Sequence, residues 1–333
     1  MIRIGDIHLR NNVFVAPMSG VSDAPFRRVA FDAGAGLVVS EMVASEELVR
    51  GRKDVVTRVE NDAVVAPFVV QLAGREARWM AEGAKIAADN GADIIDINMG
   101  CPARQVTGAL SGSALMRDPD HALRLIEATV AATDRPVTLK MRLGWDWDCL
   151  NAPEIASRAE AVGVQLITVH GRTRNQFYKG TADWASVRAT KEVTRLPLIV
   201  NGDIGCVADA RRALDQSGAD GIMIGRAAIG QPWLPGAIAR ALETGSVSAC
   251  APTLAEQTRM MMDQYEATLS LYGMGLGARI ARKHLADFID ALPLPMDPPV
   301  RRALRANICR AAPGTVLEHF SYIARGEFMD VAA

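Results

Sequence analysis

The 333-residue chain lacks the features that mark several whole classes of protein. Its five cysteines, Cys101, Cys149, Cys206, Cys250 and Cys309, are odd in number, widely spaced and never in a C-x-x-C pair. That pattern excludes a disulfide framework and a zinc-ribbon type of site, so no metal is expected and any cysteine that matters acts as a single thiol. No apolar run approaches the roughly 18 residues that suggest a membrane span. Residues 1–6 carry no signal-peptide pattern, so a cytoplasmic protein without a membrane partner is expected. There is no excess of charge of one sign: 37 Lys and Arg against 38 Asp and Glu leave a net charge of -1. A nucleic-acid partner would therefore have to be held by a local basic patch. Low-complexity segments and short-period repeats are absent as well.

What is present is ordinary globular composition, 49% apolar and 23% charged, in a length that suits one large domain or two unequal ones. Eight β-branched and apolar runs recur, at 13–16, 37–40, 68–71, 94–98, 137–140, 166–170, 198–201 and 221–224. Near-continuous apolar runs of this length suit parallel strands buried on both faces. Each gap between them has room for one helix, and segments 79–90, 121–132 and 208–216 carry apolar residues at helical spacing or helix-start signals. Asp118-Pro119 reads as cap and first turn, and Gly91, Gly163 and Gly218 stand where helices should stop. Eight βα units predict a (β/α)8 TIM barrel over residues 1–245. Residues 246–252 then read as a linker and Thr253 to Glu256 as a capping box. A small all-helical domain over 246–333 is expected, with breaks at 272–273, 293–299 and 313–314.

The active site of such a barrel lies at the carboxyl ends of its strands. Those ends carry Pro17, Met18 and Ser19; Glu41; Gln71; Asn98 with Cys101; Lys140 with Arg142; His170 with Arg172; Asn201, Gly202 and Asp203; and Gly225 with Arg226. Any one alone is what a strand end at a surface ordinarily looks like, but eight polar ends converge on one rim. The glycines at 202, 205 and 225 stand where backbone approaches a ligand, and Arg226 offers a fork of donors before a helix expected near Gly230. That is where phosphate sits in phosphate-binding barrels, although turn glycines beside a surface arginine would look the same.

Thr138, Lys140 and Arg142 share one strand face, while Leu139 and Met141 suit the helix-facing side. A lysine inside a buried barrel needs an anionic partner or a shifted pKa, and an electron-rich ring that becomes anionic on reduction would supply the partner. The alternative is an outward lysine paired with a helix. Cys101 ends a strand and opens a long segment, 103–117, expected to be a functional loop. A thiol with an ordinary pKa near 8.5 remains protonated at neutral pH and can give a proton to carbon, where a carboxylic acid would already be ionised. An inert buried cysteine is the commoner fate of a free thiol, but a strand-end place favours the donor. Residues 273–278 are glycine-rich without G-x-G-x-x-G spacing and follow no strand, which argues against a dinucleotide site there.

Six segments together, Ala16-Pro17-Met18-Ser19-Gly20-Val21-Ser22-Asp23, Asp96-Ile97-Asn98-Met99-Gly100-Cys101-Pro102, Lys140-Met141-Arg142-Leu143-Gly144-Trp145, Thr168-Val169-His170-Gly171-Arg172-Thr173-Arg174, Asn201-Gly202-Asp203-Ile204 and Met223-Ile224-Gly225-Arg226, resemble the signatures of tRNA-dihydrouridine synthases. The likeness runs from about Arg3 to Phe320, and Arg279-Ile280-Ala281-Arg282-Lys283-His284 resembles the helical-domain motif of the family's B branch. The resemblance implies an FMN-containing barrel that reduces the C5–C6 double bond of a uridine in the tRNA D-loop, with NADPH reducing the flavin. It implies that Pro17, Met18 and Ser19 lie against the flavin and that Gln71 and Lys140 bond its ring. His170, Asn201, Gly202, Asp203, Gly225 and Arg226 would hold the ribityl phosphate. Cys101 would protonate C5 after hydride reaches C6, with Asn98 and Arg172 beside the base. Ser19 stands where alanine is common in the family, and Ala286-Asp287-Phe288 replaces a more usual Trp-Tyr pairing.

Residues 275–312 hold seven Lys and Arg against three Asp, a local charge of +4 in a nearly neutral chain. Arg282, Lys283, Arg301 and Arg305 are expected to contact tRNA phosphates, the alternative being an ordinary solvated helix face. A monomer acting on tRNA is expected. The competing functions are an FMN barrel that reduces a free small molecule, which would need no basic helical domain, and a non-catalytic RNA-binding protein on the same scaffold.

Overall fold

The computed structural model describes residues 1–59, 65–108 and 110–327; Ala109 of the expected loop and residues 328–333 of the expected helical domain lie outside them. Among the described residues, eight parallel strands close a barrel: β1 (Val13–Val15), β2 (Leu37–Ala44), β3 (Val69–Ala73), β4 (Ile94–Met99), β5 (Val137–Arg142), β6 (Leu166–His170), β7 (Leu198–Asn201) and β8 (Gly221–Ile224). β8 pairs back onto β1, Ile222 opposite Val13, and closes the ring. The strands are the eight apolar runs. β2 runs on past residue 40 to Ala44 across a register shift between Val39 and Met42, and β5 extends to Arg142.

Alternate residues along each strand face opposite sides. Outward, Ile95, Ile97, Leu139, Met141, Ile167, Val169 and Val200 pack against the surrounding helices in the main core. Inward, Phe14, Leu37, Val69, Ile94, Leu166, Ile199 and Met223 form an apolar layer around Ile2, Ile4 and Leu9. Those three come from the segment around a small antiparallel hairpin, Arg3–Ile4 with Ile7–His8, which plugs the amino end of the barrel. Nearer the carboxyl end the inward residues turn polar while staying buried: Gln71, Asp96, Asn98, Thr138, Lys140, Thr168 and Asn201. Buried polar groups require partners, so the amino end is a plug and the carboxyl end a site.

Helix Pro119–Val130 starts as expected, with Asp118 accepting from the His121 amide at 2.9 Å and proline in the first turn. Gly218, at φ +66°, ends helix Val207–Ser217 in the left-handed conformation that glycine takes without strain. Two expectations are corrected. Segment 103–117 is a short helix, Arg104–Gly108, followed by a 3-10 turn, Gly112–Arg117. The helix after β8 begins at Leu234, because Arg226–Ala228 first forms a 3-10 turn.

The capping box at Thr253 opens a helical stretch, Leu254–Ala291, interrupted at Gly273 (φ 76°, ψ 161°). Helices Pro298–Arg310 and Pro313–Ala324 follow. The break expected at 313–314 falls earlier, since proline suits the first helical turn. Tyr265, Leu285, Phe288, Ile308 and Phe320 make a second core into which the barrel contributes Trp233, set edge-on to Phe288 with centroids 6.3 Å apart. Gly230 (φ +70°) lies so close that a Cβ there would overlap the backbone at Asp287 and Phe288. The helical region and the barrel are thus packed together through shared side chains.

Candidate active site

A cavity of about 870 Å³ opens at the carboxyl ends of the strands. Of the strand-end residues singled out from sequence, all but Glu41 line it: Pro17, Met18 and Ser19 after β1, Gln71 on β3, Asn98 and Cys101 at β4, Lys140 and Arg142 on β5, His170 and Arg172 at β6, Asn201, Gly202 and Asp203 at β7, and Gly225 and Arg226 at β8. Parallel strands in register explain this convergence. Asn98 pairs with Lys140 and Lys140 with Thr168, so residues far apart in sequence stand side by side.

Lys140 reaches the barrel centre, where Nζ donates to Asn201 Oδ1 at 3.2 Å. Asn201 is oriented by its own donation to the Met223 carbonyl at 2.8 Å. Burial, then repulsion from Arg142, lowers the Lys140 pKa to about 8, while Asp96 and Cys101 pull it up. On the opposite wall Asn98 donates to Gln71 Oε1 at 2.7 Å and accepts from the amides of Gly100 and Cys101 at 3.1 and 3.0 Å. The Cys101 carbonyl accepts from Ser113 Oγ at 2.8 Å. The thiol therefore stands on a braced turn beside the buried ammonium.

At the far side, Asp203 (φ 53°) binds two arginines through its carboxylate, Arg172 and, at 3.2 Å, Arg226. Arg172 is buried and its remaining donors go to the carbonyls of Lys179 and Gly180 and to His170 Nε2. An arginine can only donate, so Nε2 accepts and the neutral ring carries its proton on Nδ1. Burial, then the cations Arg142, Lys140, Arg172 and Arg226, holds His170 well below its usual pKa and keeps it neutral. Arg172, expected beside the base, lines the cavity while most of its donors brace the wall. Arg226 is the more exposed cation and faces the cavity beside Gly202 and Gly225.

Arg142 was read at a strand end without a role, and three further contributors, Tyr178, Asp96 and Ser113, were not picked out as site residues from sequence. Arg142 is buried, donates to the carbonyls of Gly100, Thr173 and Phe177, and is lowered by burial to about 10. Tyr178 places its ring 5.6 Å from the Arg142 guanidinium and 5.2 Å from that of Arg226. Asp96 and Ser113 hold other site residues. Arg142 and Asp96 carried a signal, an ionisable residue inside a buried strand; Tyr178 on a loop and Ser113 in the 3-10 turn carried none.

Beside the barrel, Arg282, Lys283, Arg302 and Arg305 line a second cavity of about 530 Å³ between helical segments. Lys283 Nζ also donates to the carbonyl of Gly20, on the rim that follows β1. Arg301 does not join them. Its guanidinium donates to the carbonyls of Ile289, Leu292 and Leu294 and caps the end of the long helix, a structural role that the expected phosphate contact did not include. Among the described residues no group of three or more His, Cys, Asp or Glu could hold a metal, and no helix is long and apolar enough to cross a membrane.

A closed parallel barrel with ionisable groups buried at one rim is an enzyme scaffold of the α/β-barrel class. Residues 14–321 match the family Dihydrouridine synthase (Dus). A probable tRNA-dihydrouridine synthase of Rhodobacter capsulatus is 55% identical over 303 residues, 91% of this chain and 93% of that one. A tRNA-dihydrouridine synthase B of Proteus vulgaris is 45% identical over 288 residues, 86% and 89% of the two chains. The chain belongs to the dihydrouridine synthase family. Among solved structures, a variant of NCR from Zymomonas mobilis aligns with a TM-score of 0.54 at 19% identity, over 74% of this chain and 91% of that one. Morphinone reductase aligns at 0.52 and 16%, over 74% and 89%. These two likenesses concern the fold alone.

Proposed function

We propose that the cavity seats FMN and that the chain reduces the C5–C6 double bond of a D-loop uridine in tRNA to dihydrouridine, with NADPH as reductant, acting as a cytoplasmic monomer. The reaction is the flavin-dependent reduction of uridine in tRNA. The observation that carries the reading is the buried ammonium of Lys140, whose one hydrogen-bond partner among the described residues is Asn201, in the same cavity as the Cys101 thiol. A buried cation with spare donors calls for an electron-rich acceptor.

The residues fit a flavin mononucleotide. The volume of about 870 Å³ lies within the roughly 300–1,000 Å³ of cofactor sites. Gly202 adopts φ +115°, and a Cβ there would press to 3.0 Å on the His170 ring. A side chain is thus excluded where backbone must approach a ligand. A single exposed arginine, Arg226, serves this end of the cavity, which suits one phosphate.

When bound, FMN supplies two electrons, delivered as a hydride to C6 of the uracil. Lys140 and Gln71 would bond the flavin ring, with Pro17, Met18 and Ser19 against it. Gly202, Gly225 and Arg226 would hold the phosphate, Asp203 orienting Arg226 and His170 offering its Nδ1–H. Cys101 gives the proton from Sγ to C5, and the thiolate regains it from solvent at the rim. Asn98 holds the Cys101 turn in place. An unpaired D-loop uridine leaves its stack at least cost, and Arg282, Lys283, Arg302 and Arg305 would take phosphates beside the mouth.

Mass measurement of the released chromophore tests the cofactor, and Cys101→Ala tests the acid. The variant is expected to keep flavin bleaching by NADPH and to lose dihydrouridine formation by about 100-fold or more. Recovery of FAD, or undiminished dihydrouridine in the variant, would overturn the reading.

A further inference from the structure

The inner wall of β3, β4 and β5 contains a carboxylate that the reaction above does not use. Asp96 is buried at the barrel centre; Oδ2 accepts from Gln71 Nε2 at 2.6 Å and Oδ1 from Thr138 Oγ1 at 2.6 Å. The Gln71 backbone amide is fixed separately, by Ser40 Oγ at 3.0 Å. A side-chain amide is nearly symmetric in shape, so what decides which end points where is the polarity of its neighbours. Against the carboxylate oxygen, Gln71 must present Nε2. Its Oε1 then faces Asn98, which must answer with Nδ2 at 2.7 Å. Asn98 Oδ1 is thereby turned to the amides of Gly100 and Cys101 at 3.1 and 3.0 Å. The links are matched in polarity from the carboxylate at one end to the two backbone amides at the other, and the last holds the turn that carries the thiol.

We propose that Asp96 is a positioning residue whose carboxylate sets the orientation of the Gln71 and Asn98 amides and through them the place of the Cys101 thiol at the rim. The proposal rests on the reading of Cys101 as proton donor. Without the acceptor at Asp96, Gln71 can turn its oxygen inward; its NH₂ then meets Asn98 Nδ2, donor against donor, or Asn98 flips as well and sets its own NH₂ against the two backbone amides. The Cys101 turn moves off that position. The chain of bonds avoids the phosphate end of the cavity but passes through Gln71, which would also bond the flavin ring, so reduction by NADPH is followed separately and compared with re-oxidation by tRNA.

Two variants separate orientation from charge. Asp96→Asn still has an oxygen to accept from Gln71 and a donor for Thr138, whereas Asp96→Leu keeps similar bulk and offers no acceptor. In the flavin-loaded protein, alkylation of Cys101 by iodoacetamide is followed by peptide mass, which reads the thiol without turnover. Separately, NADPH-reduced enzyme is mixed with tRNA and flavin re-oxidation is timed, all rates being normalised to flavin content. Asp96→Leu is expected to change Cys101 alkylation about tenfold. It is also expected to slow re-oxidation by tRNA about 100-fold, the loss typical of a catalytic group displaced by an ångström. Bleaching by NADPH, which the Gln71 contact with the ring can alter, should slow by about tenfold at most, well short of the loss in re-oxidation. Asp96→Asn is expected to restore both readouts to within about threefold. If Asp96→Leu does not fold, Asp96→Ala takes its place with the same readouts. Parent-like alkylation and re-oxidation in the variant lacking the acceptor overturns the proposal, as does an Asp96→Asn protein as impaired as Asp96→Leu. A parent protein that holds flavin but forms no dihydrouridine overturns the functional reading instead, and leaves the alkylation comparison standing as the test of position.

Discussion

Replacing Lys140 by methionine is expected to stabilise the flavin-free protein at neutral pH while weakening its hold on flavin. The ammonium is buried with one neutral acceptor, Asn201 Oδ1 at 3.2 Å. Burial, then Arg142, brings its pKa from the usual 10.5 to about 8. The unfolded chain therefore binds this proton more tightly than the folded one. At about 1.4 kcal/mol per tenfold, folding is penalised by about 3 kcal/mol at pH 7. The penalty is complete below pH 8, falls to about 1 kcal/mol at pH 9.5, and is gone above pH 10.5, because stability rises with pH wherever the unfolded state holds more protons. Lys140→Met removes the charge and keeps an unbranched stem, at the loss of one hydrogen bond worth about 1 kcal/mol. The variant should be more stable than the parent by about 2 kcal/mol at pH 7 and equal to it near pH 9.5. Urea unfolding of both flavin-free proteins, followed by circular dichroism at the two pH values, measures the difference. A variant less stable at pH 7, or a difference that does not change with pH, would refute the placement of a charged lysine in the barrel centre. Flavin titration of the same samples should run the opposite way, a site residue held at a cost to stability.

The helical region gives a paired test: Arg282→Ala with Lys283→Ala should weaken tRNA binding and lower the slope of log affinity against log salt by about two, since each phosphate contact contributes about 0.9. Arg301→Ala should leave that slope unchanged and instead lower stability by about 1–3 kcal/mol, by uncovering helix-end carbonyls; binding titrations at several salt concentrations and a urea series distinguish the two. His284, brought down to about 4 by burial and then by Lys283, is neutral in the fold and titrates near 6.5 when unfolded. Stability should therefore be lost as pH falls from 6.5 through 4, by about 3 kcal/mol, and His284→Leu should flatten that limb of the unfolding-versus-pH curve.

The barrel was legible because strands buried on both faces must be apolar along their length, and that signal needs no partner. The runs at 166–170, 198–201 and 221–224 coincide with β6, β7 and β8. β2 was read short because Ser40 and Glu41 end the apolar run, yet the strand continues past them to Ala44. The hairpin at Arg3–Ile4 and Ile7–His8 has strands of two residues, too few to show a period. The rim residues were legible as types at strand ends. What each one touches was not: Arg301 and Arg305 lie four apart on one helix, but one caps a neighbouring helix end and the other pairs with Asp290 at 3.2 Å. Arg172 likewise looks from sequence like a free cation, and only the return of residues 179–180 and Asp203 closes around it.

The six residues from Met18 to Asp23 show why the helical region and the site cannot be treated as independent. Met18, Ser19 and Val21 line the cavity at the carboxyl ends of the strands. Ser22 Oγ accepts from the Met18 amide at 2.8 Å, and Asp23 caps helix Ala24–Asp32 by accepting from the Phe26 amide at 3.1 Å. The Gly20 amide donates to the buried carboxylate of Glu41, which ties the turn to the barrel. From the other side Lys283 holds the Gly20 carbonyl, and the His284 ring packs on Phe26 at 5.3 Å. One turn is therefore both a wall of the cavity and a seat of the long helix. Lys283 also lines the cleft with Arg282, Arg302 and Arg305, so the cations proposed to meet the tRNA backbone stand one side chain away from the wall of the barrel cavity. Phosphate contacts carry no sequence information and serve to fix register and orientation. A basic cleft on a freely tethered domain would add affinity without aiming a base, whereas a cleft anchored at Gly20 and Phe26 would, on the proposed function, set where the D-loop lies relative to Cys101.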